Sequence, residues 1–342
     1  MDTSGASTTA STNTVAVSII IPAYNAARYV EEAVRAMLVQ SWSDFELLIL
    51  DDGSTDDTWH IVQKLAQEDG RIRAVRNESN CGIVAALNRG MSLAAGRYIA
   101  RMDADDYSPP HRLARQVAYF EAHEDVVVVG SNARYFGDKT GALKLPQSAS
   151  AVRTRLLFDN PIVHSSVLMR KTWLIERGIR YRAKAVHSED YDLWVQVVEA
   201  GGKIINLPDE LLHYRVHSMS ITRSKQEELE KTSGEIRRSQ LARLGCRFTA
   251  EEIDILDTLM FKGRYSVTKS ESVLLHSIYV KLLLLPIPVG ALKRRYETGR
   301  FIASLFCRPR SLFDKVRLML ALGRIQPLTA AVFTVLFVFG EP

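Results

Sequence analysis

Three groups of carboxylates stand where apolar runs of this sequence end or helical ones begin: Asp51-Asp52, Asp103-Ala104-Asp105-Asp106, and Glu189-Asp190 with Asp192. Asp103 and Asp105, two apart, can both offer oxygen to one hard divalent ion. A D-x-D alone is equally an acidic, solvated turn, so its neighbours decide. In the third group a carboxylate can take a proton from a hydroxyl, with Asp190, Glu189 and Asp192 competing for the role. The same three residues also suit the positive end of a helix beginning near Ser188.

These residues need elements that bring them together. Val15 to Ile21 (VAVSIII) is a continuous apolar run, the pattern of a strand buried on both faces in a parallel sheet. It stops at Pro22, and after Asn25, a good N-cap, the positions Val30, Ala33, Val34, Met37 and Leu38 recur at helical spacing. A second strand, Glu46 to Leu50, runs into Asp51-Asp52-Gly53-Ser54, where Ser54 is placed to cap a helix carrying Trp59, Ile61, Val62 and Leu65. The unit repeats through strands at 71–75 and 97–102 and helices at 83–94 and 111–122. This predicts βαβ units and a doubly wound, mostly parallel α/β sheet, Rossmann-like in plan. Strand ends of such a sheet share one rim, where ligands bind. After a strand at 126–129 the pattern breaks into shorter pieces: a strand at 167–170, a helix at 188–200 and two short strands at 203–207 and 211–215.

Length and composition agree with a globular chain. It has 342 residues, 46% hydrophobic and 24% charged, enough for one large domain or two moderate ones. Cys81, Cys246 and Cys307 are scattered, with neither metal-ligand spacing nor a disulfide framework, which fits a reducing compartment. Residues 1–14 lack the basic start and apolar core of a secretory signal and read as a disordered tail. The net charge of +5 is concentrated in residues 262–324, pointing to an anionic surface as partner rather than a nucleic acid.

Five motifs in order, IIIPAYN, LDDGSTD, MDADD, SEDYDLW and YRVHSMSIT, span about Val17 to Arg223. In these the sequence resembles the family 2 glycosyltransferases, inverting enzymes of GT-A fold. The resemblance implies a glycosyltransferase domain at 15–222 and a helical, basic and apolar region at 223–342. It implies that Pro22, Tyr24 and Asn25 line a nucleotide pocket, Tyr24 stacking on the base and Asp52 accepting from its ring N–H. Asp105 would hold Mn²⁺ or Mg²⁺ against the diphosphate, with Asp103 reaching the ribose or a metal-bound water, and His217 in a closing loop as a further ligand. Asp190 would be the base, chosen by its place in the motif. His164, Glu189 and Trp194 are acceptor-side candidates, and Arg215, Ser218 and Ser220 weaker phosphate contacts. The expected partners are a UDP-, dTDP- or GDP-linked sugar and a glycan or lipid-linked acceptor, as in bacterial surface polysaccharide assembly.

Two departures refine this expectation. The Q-x-x-R-W motif and long membrane helices of the processive polymer synthases are absent, which implies a single-addition enzyme. The apolar runs 282–289 and 328–339 are shorter than the roughly 20 residues a spanning helix needs. Beside Lys293-Arg294-Arg295 they suit a cytoplasmic protein lying on an anionic inner leaflet, or packing against protein. A sugar-1-phosphate nucleotidyltransferase would want a Gly-rich basic loop after the first strand, where this chain has PAYNAARYV. A non-catalytic sugar-nucleotide binder would not need every acidic residue.

Overall fold

The computed structural model describes residues 15–217 and 225–262. The expected N-terminal tail, Ser218 and Ser220, and the basic and apolar C-terminal runs lie outside them. The described chain divides into two compact units. The first holds residues up to 143 with 163–180 and 209–216; the second holds 144–162, 181–208 and 217 onward.

In the first unit the apolar run forms β1 (Val17–Ala23), every residue of it buried. Each fully buried isoleucine there contributes about 1.5–3 kcal/mol relative to exposure. Helix α1 (Val30–Leu38) buries Val30, Ala33, Val34, Ala36 and Met37 and turns Glu31, Glu32 and Arg35 outward. There follow β2 (Phe45–Asp51), α2 (Thr58–Glu68), β3 (Ile72–Arg76), α3 (Ile83–Leu93), β4 (Tyr98–Arg101) and α4 (Arg112–Ala122). Strands β2–β3, β1–β2 and β1–β4 pair in parallel, in the order β3-β2-β1-β4. The chain thus moves outward from β1 to β3 and returns to β1's other side as β4. Between β1 and β4 lies the point where the winding reverses, and a crevice opens there at the strands' carboxyl ends.

Beyond β4 the sheet turns antiparallel. It continues through β7 (Leu168–Arg170), β5 (Val126–Gly137) and β6 (Gly141–Leu143), and β5 also pairs β8 (Lys203–Val216). The two short strands expected at 203–207 and 211–215 are this one strand, running through Pro208. Pro208 is solvent-exposed, as suits a residue that cannot donate to a ladder. Helix α6 (Lys171–Glu176) follows β7.

The second unit is mainly helical: α5 (Ala149–Leu156), α7 (Glu189–Glu199), α8 (Gln226–Arg243) and α9 (Ala250–Lys262), with the first residues of β8. Ser148 caps α5 by accepting from the Ala151 N–H at 3.2 Å. Thr249 and Glu252 form a reciprocal capping box at the start of α9. No helix among the described residues is long and apolar enough to cross a membrane.

Candidate active site

The carboxyl ends of β1, β2 and β4 carry three of the five motifs to one rim. After β1, Asn25 takes a left-handed conformation at φ +48°. Its N–H donates to Ser54 Oγ at 3.0 Å, and its Oδ1 accepts from the Thr55 N–H at 2.9 Å. Neither Asn25 nor Ser54 caps a helix as expected, because each spends its side chain linking the β1 loop to the β2 loop. Helix α1 starts only at Val30, and α2 at Thr58, behind Asp57. Tyr24, next to this link, is 48% exposed, its ring open to solvent on the rim. Pro22 is buried within β1.

Asp52 is buried just past β2, and both of its oxygens accept hydrogen bonds. Its Oδ1 accepts from Asn77 Nδ2 at 2.6 Å and the Cys81 N–H at 3.0 Å, and its Oδ2 from the Gly82 N–H at 2.8 Å. The carboxylate therefore binds the turn that opens α3. Gly53, at φ +72°, lies against that same turn: a Cβ there would sit 2.6 Å from the carbonyl carbon of Ser79. Two backbones are in direct contact, and a side chain would force them apart. Asp51 is buried behind, 3.1 Å from Arg76 Nε.

Past β4, Asp103, Asp105 and Asp106 bring one oxygen each within 4.8 Å of the others. Asp103 is held by the guanidinium of buried Arg101 and by the Ser165 hydroxyl, and Arg101 Nη1 also donates to Ser165 Oγ at 2.6 Å. Asp106 is 1% exposed. Its Oδ1 accepts from the Arg215 N–H at 2.8 Å, while its buried Oδ2 makes no hydrogen bond among the described residues. Burial and the neighbouring charges of Asp103 and Asp105 hold its carboxyl well above the usual carboxylate range. A buried, partnerless carboxylate oxygen beside two further carboxylates is a donor set short of a cation, so these residues fit a hard divalent ion.

The loop is braced from several sides. Tyr107 and His213 exchange both backbone hydrogen bonds, at 3.0 and 2.8 Å, and their rings stack. Arg215 Nε donates to the Asp105 carbonyl at 2.6 Å and Nη2 to Glu32 at 2.5 Å. Two of its five N–H groups thus brace the loop. Beneath lies Arg112, fully buried, donating to the carbonyls of Arg101 at 2.7 Å and Val167 at 3.2 Å. Burial pushes its guanidinium down to about 9, and the nearby Asp106 charge opposes that shift. His164 is also buried, in a 3₁₀ turn His164–Ser166. Burial and the Arg101 charge keep its imidazole well below the usual histidine value, hence neutral at pH 7.

In the second unit, Asp190 stands in the first turn of α7 and is partly exposed. Its Oδ2 accepts from Asn160 Nδ2 at 2.7 Å and its Oδ1 from the Tyr191 N–H at 2.7 Å. Asp192, its competitor, is buried and accepts from Gln196 Nε2 at 2.7 Å. Glu189 remains partly exposed. Trp194 is fully buried, which corrects its expected place on the acceptor surface. All residues from Tyr191 to Val197 are buried, so α7 is enclosed all round and sharing a helical face with Asp190 confers no exposure. His217 also belongs to this unit.

A family model for glycosyl transferase family 2 matches residues 18–180. A glucosyltransferase of Escherichia coli, WfaP, is 33% identical over 221 residues, covering 64% of this chain and 84% of its own. The chain belongs to glycosyltransferase family 2. Solved structures of low identity share the fold. Staphylococcus aureus TarS (residues 1–349, with UDP-GlcNAc) gives a TM-score of 0.52 at 17% identity, over 90% of this chain and 80% of that one. The mannosyltransferase PcManGT of Pyrobaculum calidifontis, with GDP-Man and Mn²⁺, gives 0.50 at 18%, over 96% and 88%.

For this glycosyltransferase, the expected GT-A sheet is present, and Tyr24, Asn25, Asp52, Asp103 and Asp105 fall on successive loops of the first unit, with Pro22 in the strand before the first of them. Sequence reasoning passed over Asp106 as a site residue in its own right, passed over Arg101 and Arg112 entirely, and took Asn160 and Ser165 only as members of the acceptor-side segment around His164, with no role of their own. A buried arginine in a strand or helix carries no local signature. Asp106 was the most accessible of these to inference, being third in an acidic run whose third member ends the loop.

Proposed function

We propose that this glycosyltransferase is a metal-dependent, inverting enzyme that moves one sugar from a nucleotide-diphosphate sugar to a glycan or lipid-linked glycan acceptor in bacterial surface polysaccharide assembly. The observation that carries the reading is the trio Asp103, Asp105 and Asp106 at the β1/β4 switch point, with Asp106 Oδ2 buried and partnerless. PcManGT, with GDP-Man and Mn²⁺, supports both a nucleotide-sugar donor and a divalent ion. The name of WfaP, a UDP-Glc:α-D-GlcNAc-diphosphoundecaprenol β-1,3-glucosyltransferase, supports the lipid-linked acceptor.

Asp105 and Asp106 would hold Mn²⁺ or Mg²⁺, and the motif YRVHSMSIT offers His217 as a further candidate ligand. When bound, such an ion offsets the negative charge of a nucleoside diphosphate as it departs. Asp103, its carboxylate fixed by Arg101 and Ser165, faces the donor's ribose. Tyr24 offers a ring face to the base, and the second lone pair of Asp52 Oδ2 is available to a base N–H. Pro22 and Asn25 shape the pocket between them. Asp190 takes the proton of the acceptor hydroxyl as its oxygen bonds to the anomeric carbon. The bond to the diphosphate breaks on the opposite face, its electron pair leaving with the phosphate oxygen, so the configuration inverts. Glu189 and His164 are acceptor-side positions of lower rank, His164 being buried. The basic and apolar residues beyond 262 support a place on the inner face of an anionic membrane.

A thermal-shift screen of UDP-glucose, UDP-GlcNAc, GDP-mannose and dTDP-rhamnose, each with Mn²⁺, tests the donor reading. One nucleotide sugar at a hundredfold excess over its Kd stabilises by about 2.7 kcal/mol, and EDTA should erase that shift. If no nucleotide sugar raises Tm, or if EDTA changes nothing, the reading of this site is wrong.

A further inference from the structure

Asp190 accepts from a side chain in a distant part of the sequence. Asn160 Nδ2 donates to Asp190 Oδ2 at 2.7 Å across thirty residues of chain. The other end of the same amide is fixed as well: Asn160 Oδ1 accepts from the Ile162 N–H at 3.2 Å. The amide is thus locked in orientation, with its N–H pointing at the carboxylate. Asp190's other oxygen accepts from the Tyr191 N–H. Together these bonds fix the plane of the carboxylate.

The loop bearing Asn160 is itself clamped within the second unit. Arg237 of α8, a buried residue, donates to the Phe158 carbonyl at 2.7 Å. Gln240 of α8 and the Tyr191 hydroxyl of α7 both donate to the Leu156 carbonyl, at 3.1 and 2.8 Å. Asn206 of β8 donates to the Pro161 carbonyl at 3.0 Å. On the other side of α7's start, Ser188 Oγ meets Ser233 Oγ of α8 at 2.8 Å, and His187 Nε2 lies 2.9 Å from Glu228. Helix α8 therefore grips both the loop that carries Asn160 and the turn that precedes Asp190. It lies wholly beyond residue 180, where the match to the family model ends.

We infer that Asn160 is a positioning residue for Asp190, and that α8 is the support that holds the two in register. The inference rests on Asp190 being the base. The role follows from the chemistry. A base must present one lone pair to the acceptor hydroxyl, and a carboxylate free to rotate spreads that lone pair over many directions. An amide donor that cannot turn selects one of them.

Asn160→Ala and Asp190→Asn, prepared in the full chain, test this against the release of nucleoside diphosphate from the nucleotide sugar that raises Tm most. Asn160→Ala should lower kcat roughly 10- to 100-fold, the range for losing a hydrogen bond to a charged group, with the donor Kd unchanged. Asn160→Ser, which keeps a donor O–H, should recover part of the loss and stands in if the alanine variant does not fold. In ¹⁵N spectra the Asn160 side-chain amide, assigned by its absence in Asn160→Asp, should move in Asp190→Ala. An inactive Asp190→Asn beside an Asn160→Ala of wild-type kcat would overturn the positioning role alone. An active Asp190→Asn would remove the base, and the role of Asn160 with it.

Discussion

The acidic loop after β4 and the first turn of α7 both present carboxylates, but they are held in opposite ways. Asp103, Asp105 and Asp106 sit within four successive loop positions, and their supports include buried cations and backbone: Arg101, Arg112 and the Arg215 N–H. Asp190 is met by the locked amide of Asn160 and by the Tyr191 N–H of its own helix. The first arrangement holds carboxylates close together against their mutual repulsion, which requires nearby positive charge and a rigid frame. The second aims one lone pair, for which a single well-fixed donor is enough. A binding site for a charged group and a site for proton transfer thus differ in what they ask of the surrounding protein.

The largest expected effect falls on the helical side. Asp190→Asn should cut transfer about 10²- to 10⁴-fold, the usual yield of general-base catalysis, while calorimetry shows nucleotide binding intact. A parallel loss of binding would erase the contrast between the two regions. Next, Asp105→Ala and Asp106→Ala should each abolish Mn²⁺-dependent nucleotide binding by calorimetry, with binding in EDTA unaltered. If Asp106→Ala binds Mn²⁺ normally, its partnerless oxygen has another cause.

Smaller effects probe the frame. Arg112→Met leaves the Arg101 and Val167 carbonyls without their buried donor and should cost about 3 kcal/mol in urea unfolding, within the range for breaking a buried charged network. A neutral result would mean the loop needs no cation beneath it. Finally, the neutral His164 makes stability depend on pH. Its folded value lies below that of the unfolded chain, so the unfolded state binds the proton first. Stability is full above about pH 6.5 and falls as pH drops through that value, by at most about 1.4 kcal/mol per unit. Melting at pH 7.5 and 5.5 should show the decline, and His164→Asn should flatten it.

Where a feature was written into contiguous residues, the sequence disclosed it. The run VAVSIII announces a strand buried on both faces, and the alternation that follows announces the winding that gathers Tyr24, Asp52 and Asp105 on one rim. Features that depend on distant partners stayed hidden. Asn25 and Ser54 are good capping residues by local preference, yet each found a better partner in the other's loop. Trp194 follows Asp190 by one helical turn, but α7 has no free face for it to share. Pro208 looked like a break between two strands because its cost depends on whether its neighbour needs a donor, which only the sheet reveals. Asn160 gave no sign of its role, since nothing in Asn-Pro-Ile-Val names a carboxylate thirty residues on.

Gly53 has a bearing on how such an enzyme can diverge. With backbone pressed on backbone at 2.6 Å from an added Cβ, and φ at +72°, this part of the rim admits no other side chain without moving the Ser79-Asn80 turn. A descendant copy adapting to a different nucleotide would inherit that floor unchanged. Its room for novelty lies at the exposed positions around it, Tyr24 first among them, so new preferences would be acquired from the walls of the pocket inward.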